Sequence, residues 1–324
     1  MSATLSVVIP TWNHRDLLAE CLKSLAAQSR QAGEIIVVDD GSTDDTAVYV
    51  AREWPDVRLV RLEKNSGFCA AVNSGIRAAT GDWVFLLNND MTLAADCLER
   101  LMEAACEGVA AMLAPLALFR DDPDTIYSAG DRQRADGRPE AIGFRQRLEG
   151  FRFPKTIFGV SGGAGLYRRE VFDRVGLLDE RFIAYFEDSD LNFRARLAGF
   201  DANLVREAIA YHVGSASLGG KTWWRSRQCF RNHALLIIKN LPLPLFVRNF
   251  PSIVRERLHQ ARRLVSSART EFGLVRALAM LGAAGFDTLT AIPHCLRERR
   301  KIQRTRRISI DELKRLMGEG ESAD

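Results

Sequence analysis

The 324-residue chain has few of the features that mark secreted proteins or proteins with a structural metal site. Its six cysteines form no Cys-x-x-Cys pair and show no zinc-site spacing. Most of them lie in apolar helical patterns, which is typical of buried free thiols in a reducing compartment. The N-terminal segment also lacks the basic and apolar regions of a signal peptide. We therefore expect a cytoplasmic protein without a disulfide framework.

Long uninterrupted apolar runs are also missing. A transmembrane helix needs about 20 predominantly apolar residues. The best stretch, Phe272–Pro293, contains Arg276 and Asp287, and Leu235–Val247 contains Lys239 and two prolines. The sequence therefore predicts no membrane span, although a helix that lies on a membrane surface remains compatible with it.

Charge is distributed unevenly along the chain. Residues 1–220 contain 24 Lys and Arg against 32 Asp and Glu, whereas residues 221–324 contain 21 against 9. The composition shifts at the same point, and we predict one α/β domain over 1–220 and a basic helical segment over 221–324. The basic segment is expected to meet something anionic. No nucleic-acid-binding motif accompanies it, so an anionic membrane surface is the favoured partner and nucleic acid is not. The protein's own acidic half is another candidate partner, and a basic face that only meets solvent is the alternative interpretation.

The first hundred residues alternate apolar, β-rich runs with helical patterns. Buried strands are predicted at Leu5–Pro10, Ile35–Asp39, Val57–Leu62 and Trp83–Leu87. Such alternation predicts an α/β fold, in which helices flank a mostly parallel sheet. Residues 115–157 show no clear periodicity and are interpreted as an irregular excursion near the site.

Polar clusters follow three of these strands, at the sheet edge where α/β proteins bind ligands. They are Thr11-Trp12-Asn13, Asp39-Asp40-Gly41-Ser42 and Asn88-Asn89-Asp90. The acids of the second cluster could bind a base or ribose, or simply form a turn. Asp90 could hold a divalent cation beside a diphosphate, or cap a helix predicted over Thr92–Ala105.

Three further features carry candidate chemistry. Glu187, Asp188 and Asp190 follow an aromatic segment, and their mutual repulsion suits one of them to general-base catalysis, although acids also favour the first turn of a helix. His212 could be a metal ligand or a structural histidine. The Gly-rich run 162–165 could approach a phosphate, but it lacks the lysine of a P-loop.

Taken in order, seven segments resemble the pattern of glycosyltransferase family 2 on a GT-A fold. They are Ser6–Asn13, Val37–Asp44, Asn65–Phe68, Asn73–Gly75, Leu86–Asp90, Phe186–Arg194 and His212–Ser215. The resemblance covers about residues 4–240. It is strongest for the bacterial rhamnosyltransferase-like branch, which builds cell-surface polysaccharides.

The resemblance implies roles for the matching residues. Those expected to bind the nucleotide-sugar are Pro10, Thr11, Asn13, Asp39, Asp40, Asn65, Gly67, Asn73, Asn88, Asn89 and Gly163. Asp90 and His212 would hold a divalent cation, Mg²⁺ or Mn²⁺. Asp188 would be the catalytic base, with Glu187 beside it. Asn88 stands where many members have Asp, so the cation would have fewer charged ligands.

The implied function is inverting, metal-dependent transfer of a sugar from dTDP-rhamnose or a UDP-sugar to a hydroxyl of a lipid-linked glycan. The enzyme would be cytoplasmic or peripheral on the inner face of the cell membrane. Two alternatives stay open. A sugar-phosphate nucleotidyltransferase would normally have a Gly-rich basic loop near the N-terminus, which this chain lacks. The other alternative is a catalytically silent, membrane-associated binding module.

Overall fold

A mixed sheet of nine strands is the centre of the fold in a computed structural model that describes residues 3–108, 110–214 and 222–318. Its strands are β1 (Leu5–Thr11), β2 (Glu34–Asp39), β3 (Arg58–Arg61), β4 (Trp83–Leu87), β5 (Met91–Leu93), β6 (Met112–Phe119), β7 (Asp122–Ser128), β10 (Ala164–Arg168) and β11 (Ala202–His212). Two short strands, β8 (Asp131–Gln133) and β9 (Pro139–Ala141), form a separate antiparallel pair.

The strand order is β3-β2-β1-β4-β10-β6-β11-β5, and β7 pairs with β6. Strands β3, β2, β1 and β4 pair in parallel, as do β6 and β11. Strand β10 lies antiparallel between β4 and β6. The predicted mostly parallel α/β sheet of GT-A type is therefore confirmed, and all four strands predicted in the first hundred residues are present.

Helices cover both faces of this sheet. Before residue 200 they are α1 (Arg15–Ala26), α2 (Thr46–Glu53), α3 (Phe68–Ala78), α4 (Cys97–Cys106), α5 (Arg169–Val175) and α6 (Glu187–Leu197). Alternate residues of β1 point to opposite faces. Val7 and Ile9 pack into the core beneath α1, α2 and α4, whereas Val8 packs into the core beneath α3, α5 and α6.

Two local predictions are wrong. Residues 115–157 are not irregular throughout, because they contain most of β6 and all of β7, β8 and β9. Pro115 interrupts the apolar run of β6 in the sequence, yet it pairs in register with Val205 of β11. The helix predicted over Thr92–Ala105 begins only at Cys97, because the preceding residues form β5 and pair with β11.

The C-terminal part is helical, as predicted. It comprises α7 (Thr222–Asn240), α8 (Leu243–Phe272), α9 (Leu274–Arg304) and α10 (Ile310–Leu316). Leu235 and Leu236 of α7 share one buried cluster with Leu191 and Phe193 of α6. The division into two domains near residue 220 stays a prediction, and the two parts share a core.

The expectation that no segment reaches the length of a membrane span is wrong for α9. This helix has 31 residues, and it is long and apolar enough to cross a bilayer by length and composition. Only 22% of its most apolar window is buried inside the protein. One such helix does not by itself establish a span, because core helices of soluble proteins can have the same length and composition.

Candidate active site

The predicted polar residues gather at one edge of the sheet. Thr11, at the end of β1, is the register partner of Asp39, at the end of β2. His212 ends β11 and is the register partner of Met91 in β5. Strand β10 runs in the opposite direction, so its first residue, Ala164, pairs with the end of β4. Residues that are far apart in the chain therefore meet beyond the carboxyl ends of the parallel strands.

Asp90 and His212 form a buried pair at this edge. The Nε2 atom of His212 lies 3.4 Å from Oδ1 of Asp90. Nδ1 of His212 accepts a hydrogen bond of 2.7 Å from the Gly214 amide, so the neutral ring carries its proton on Nε2, the atom that faces Asp90. Burial lowers the pKa of His212, and the Asp90 charge opposes that shift. The imidazole also stacks on Tyr127, with ring centroids 4.1 Å apart.

A cation at this position would have two protein ligands. Among the residues that the structure describes, no three His, Cys, Asp or Glu side chains cluster as a metal site. An imidazole and a carboxylate are a donor set that Mn²⁺ accepts, and diphosphate oxygens can complete the shell of such an ion. Ligation through Nε2 would require the ring proton to move to Nδ1 and the Gly214 amide to give up its hydrogen bond to that atom. The residues therefore fit a cation that the donor helps to hold.

Short side chains join the ends of β1, β2 and β4. The Thr11 hydroxyl accepts a hydrogen bond of 2.9 Å from the Asn89 amide. Asn13 adopts the left-handed conformation, with φ of 59°. Its backbone amide donates to the Ser42 hydroxyl, and its Oδ1 accepts from the Thr43 amide at 2.9 Å. These contacts fix the loops that follow β1 and β2 relative to each other.

Pro10 and Asp39 are buried within or at the end of their strands. Pro10 pairs in register with Val38 in the middle of the sheet edge. Asp39 accepts a hydrogen bond of 2.9 Å from the Ser42 amide, and its other oxygen lies 3.4 Å from the Arg61 guanidinium. Both side chains are therefore part of the buried ends of β1 and β2 at this edge of the sheet.

Asp40 organises the loop that precedes α3. Its two oxygens accept hydrogen bonds from the backbone amides of Ser66 and Gly67, at 2.7 and 2.9 Å. Burial raises the pKa of Asp40, and these two hydrogen bonds counteract the rise. Gly41 has φ of +69°, and a Cβ there would lie 2.5 Å from the Lys64 carbonyl carbon. Only glycine allows this close approach. Asn65, the residue after Lys64, is exposed.

The side chain of Asn73 is buried, and it contacts residues 178–180, not the polar residues at the sheet edge. Its Nδ2 donates to the Leu178 carbonyl and the Glu180 carboxylate, both at 2.9 Å, and its Oδ1 accepts from the Leu178 amide at 3.0 Å. The side chain therefore holds the turn before α6 against α3. Its predicted nucleotide contact stays a prediction.

The Gly-rich turn connects Asp188 to the end of β4. Oδ2 of Asp188 accepts a hydrogen bond of 3.0 Å from the Gly162 amide. The next carbonyl, that of Gly163, accepts from the Asn88 amide at 2.8 Å. A Cβ on Gly162 would lie 3.1 Å from Cβ of Asp188. Asp188, Asn88 and the neighbouring Asp90 are thereby connected through two consecutive glycines.

Glu187 is buried beside Asp188 at the start of α6. Burial is the main cause that raises the pKa of Glu187 to about 8, and the charges of Asp188 and Asp190 add to it. Its Oε2 atom has no hydrogen-bond partner among the described residues. The raised pKa favours the protonated form of Glu187 near neutral pH, and in that form Asp188 has no adjacent second negative charge.

Asp190, the third acid of the cluster, faces the protein interior. It accepts hydrogen bonds from Arg194, Lys239 and Asn240, at 2.8 to 2.9 Å. Its role is to join α6 to α7.

A strained segment leads into these carboxylates. Ile183, Tyr185 and Phe186 all have positive φ, between 66° and 70°, which is rare for residues with side chains. The buried amide of Asn232 in α7 donates to three carbonyls of this segment, those of Phe182, Ala184 and Tyr185, at 2.8 to 2.9 Å. A residue of the C-terminal part therefore holds the backbone that positions Asp188.

Sequence reasoning missed three residues of the site, namely Tyr127, Asp131 and Asn232. Tyr127 stacks on His212. Burial is the main cause that raises the pKa of Asp131, and the negative charge of Asp188 raises it further, so Asp131 lies near Asp188. Neither residue belongs to a motif, because both come from the region predicted to be irregular. Asn232 lies in a helix whose sequence shows no polar pattern that would single it out.

Comparison with known proteins agrees with this geometry. Residues 6–176 match the profile described as Glycosyl transferase family 2. The chain is 29% identical over 246 residues to the N-acetylglucosaminyl-diphospho-decaprenol L-rhamnosyltransferase of Mycobacterium tuberculosis, covering 68% of this chain and 79% of the relative. It is 28% identical over 310 residues to the succinoglycan biosynthesis protein ExoO of Rhizobium meliloti, covering 90% and 82%.

A solved structure shares the fold. The mannosyltransferase PcManGT from Pyrobaculum calidifontis, in complex with GDP-Man and Mn²⁺, superposes with a TM-score of 0.55 at 19% identity. The match covers 98% of this chain and 88% of that one. With the family profile spanning more than half of its residues, the chain belongs to glycosyltransferase family 2 and is a glycosyltransferase.

Proposed function

We propose that this enzyme transfers a sugar from a nucleoside-diphosphate donor to a hydroxyl of a lipid-linked glycan, with inversion at the anomeric carbon. The observation that carries the proposal is the placement of Asp188 beside Asn88 and Asp90, through Gly162 and Gly163. In this arrangement the catalytic base Asp188 and the sheet edge that would bind the diphosphate lie on two sides of one reaction centre. A role in cell-surface polysaccharide synthesis fits the relatives with related activities.

Asp90 and His212 are the residues that would hold Mg²⁺ or Mn²⁺. When bound there, such an ion would offset the negative charge that develops on the departing nucleoside diphosphate. The PcManGT structure contains Mn²⁺ with its GDP-sugar, which supports a cation here by analogy. Because Asn88 is uncharged, the protein supplies little negative charge of its own, and donor and cation are expected to bind together.

Asp188 accepts the proton of the acceptor hydroxyl. Its Oδ2 is oriented by the Gly162 amide, and its Oδ1 accepts from the Ser189 amide at 2.6 Å. These contacts fix the carboxylate before the acceptor arrives. A general base of this kind contributes about 10²–10⁴-fold to the rate. The acceptor oxygen attacks the anomeric carbon from the face opposite the nucleoside diphosphate, the bond to the diphosphate breaks as the new bond forms, and the configuration at the anomeric carbon inverts.

The remaining polar residues of the edge would bind the donor. Asp40, with Asp39 as the second choice, would hold the base, and Pro10, Thr11 and Asn13 would line the nucleotide pocket. A rhamnosyl donor is favoured because the mycobacterial relative is a rhamnosyltransferase. That relative's acceptor is a decaprenol diphosphate glycan, which supports a lipid-linked acceptor here.

A donor panel tests the proposal. Purified protein is mixed with dTDP-rhamnose, UDP-hexoses and GDP-mannose, with and without Mn²⁺, and thermal stabilisation identifies the donor. The product is then analysed with a lipid-linked acceptor. Release of nucleoside diphosphate supports transfer. Release of pyrophosphate from a sugar phosphate and nucleoside triphosphate would indicate a nucleotidyltransferase, and no release from any donor would indicate a silent binding module.

A further inference from the structure

We infer that the hairpin of α8 and α9 docks on an anionic membrane surface through one apolar side, which we name the docking face. This inference deepens the proposed function, since a lipid-linked acceptor is reached at a membrane. The docking face consists of Leu243, Val247, Phe250, Val254 and Leu258 of α8 with Leu274, Val275, Leu278, Phe286, Leu289 and Leu296 of α9.

The exposed apolar residues of each helix form a stripe on one face. In α8 they recur every three or four residues from Leu243 to Leu258, in the first half of the helix. In α9 they are spaced more widely, with gaps between Leu278 and Phe286 and between Leu289 and Leu296, but these spacings still fall on one side of a helix. Val254 and Leu258 of α8 line the same open groove as Leu278 and Gly282 of α9, so the two stripes share one side of the hairpin. Val247 is 65% exposed and Phe286 is 67% exposed. Exposed apolar side chains gathered on one side of a helical hairpin indicate an interaction site.

Basic residues border the docking face, which favours an anionic partner. Arg255, Arg262 and Arg269 are exposed and recur every seven residues, so they form a row on one side of α8 that begins beside the apolar stripe and continues past its end at Leu258. Exposed basic residues continue beyond the apolar stripe of α9, at Arg297 and Arg300. An apolar stripe with a bordering row of arginines is typical of helices that lie in the headgroup region of anionic bilayers.

The helix α9 is attached to the protein along its whole length, which indicates that it lies on the membrane and does not cross it. Its opposite face buries Ala277, Ala284, Thr288, Ala291 and Cys295. Asp287 forms an ion pair with Arg227 of α7. Near the end of α9, Arg299 donates to the Ile238 carbonyl and Gln303 to the Asn240 carbonyl. Crossing a bilayer would break all of these contacts and expose polar groups to lipid.

One end of the docking face lies near the catalytic carboxylates. Phe272, at the α8–α9 turn, packs on Trp223 of α7 with ring centroids 5.4 Å apart. The next residue, Trp224, contacts Tyr185 at 6.0 Å between centroids. Tyr185 precedes Glu187 by two residues. Docking of the hairpin would therefore bring the Asp188 side of the site close to the membrane surface, where a lipid-linked hydroxyl is presented.

Vesicle flotation of the full-length protein tests this inference. The wild type is mixed with vesicles of phosphatidylcholine alone or with 30 mol% phosphatidylglycerol, at about 50 mM and 500 mM salt. We expect flotation with the anionic vesicles at low salt and recovery in the soluble fraction at high salt. The double variant Val247→Asp/Phe286→Asp should lose about tenfold or more in partitioning. Val48→Asp is the matched control, because Val48 is 64% exposed on α2, outside the docking face.

Several results would overturn the inference. They are wild-type protein that does not float at low salt, equal flotation with neutral vesicles, and loss of flotation in Val48→Asp as large as in the double variant. Retention after alkaline carbonate washing would indicate a membrane span. A dimer that the double variant converts to a monomer, without vesicle binding, would show that a second copy covers the face. Donor turnover in the same samples reports on the proposed function separately, because the variants leave the site unchanged.

Discussion

The buried, protonated Glu187 makes a quantitative prediction about stability. Its pKa is raised from the ordinary 4.5 to about 8 by burial and, next, by the charge of Asp188. Between these two values the folded protein holds one proton more than the unfolded chain does. Stability therefore falls as pH rises through this window, by about 1.4 kcal/mol per pH unit. At pH 7 the accumulated loss from this one group is about 3 kcal/mol.

Replacing Glu187 by Gln should remove this loss, because the amide has the shape of the protonated acid and never ionises. We expect the variant to be more stable than the wild type by about 3 kcal/mol at pH 7 and by less than about 1 kcal/mol at pH 5. The measurement is urea unfolding at pH 5, 6, 7 and 8. Glu207→Gln serves as control, since Glu207 is exposed on β11.

A variant that is less stable than the wild type at pH 7 would refute this reasoning. The reasoning would also be refuted if the free energy of unfolding changed equally with pH, between pH 5 and pH 8, in the wild type and in Glu187→Gln. Either result would mean that Glu187 is ionised in the folded protein, with a partner for its charge, and that the site carries two adjacent negative carboxylates.

Two other perturbations address how Asp188 is positioned. Asn232→Ala removes three hydrogen bonds from a strained backbone and should destabilise the protein by about 2–4 kcal/mol in urea unfolding and lower kcat, with donor affinity retained. Gly162→Ala should lower kcat about tenfold or more without a change in donor affinity, because the new methyl group displaces Asp188. Gly285→Ala, which meets no atom within 4 Å, should leave kcat unchanged.

Most of the sheet could be predicted from the sequence because its first four strands are continuous apolar runs, each followed by polar turn residues. That placement also predicts the common edge at which Thr11, Asp39 and Asp90 lie. The meeting of Asp90 with His212 depends on the pairing of β5 with β11, more than 100 residues apart, which no local pattern contains. From the sequence, Asp90 and His212 could be placed in one site only because of the resemblance to the family.

The remaining differences have physical causes as well. Strand β6 was missed because Pro115 interrupts its apolar run, yet Pro115 pairs in register with Val205 of the parallel strand β11. Arg276 and Asp287 made α9 look too polar for a membrane. In the structure Asp287 turns toward Arg227 on the protein side, so the outer face stays apolar. The clamp by Asn232 joins residues about 50 positions apart, and an isolated asparagine in a helix gives no sign of it.

The central claim is that Asp90 and Asp188 act on the same nucleotide-sugar in different ways. Calorimetric titration with the donor and Mn²⁺, followed by a transfer assay, should be carried out on Asp90→Asn and Asp188→Asn side by side. We expect Asp188→Asn to bind the donor as the wild type does and to lose at least about 10²-fold in transfer rate. We expect Asp90→Asn to bind the donor at least about tenfold more weakly and with less dependence on Mn²⁺. Wild-type transfer by Asp188→Asn, or unchanged Mn²⁺-dependent donor binding by Asp90→Asn, would contradict the account.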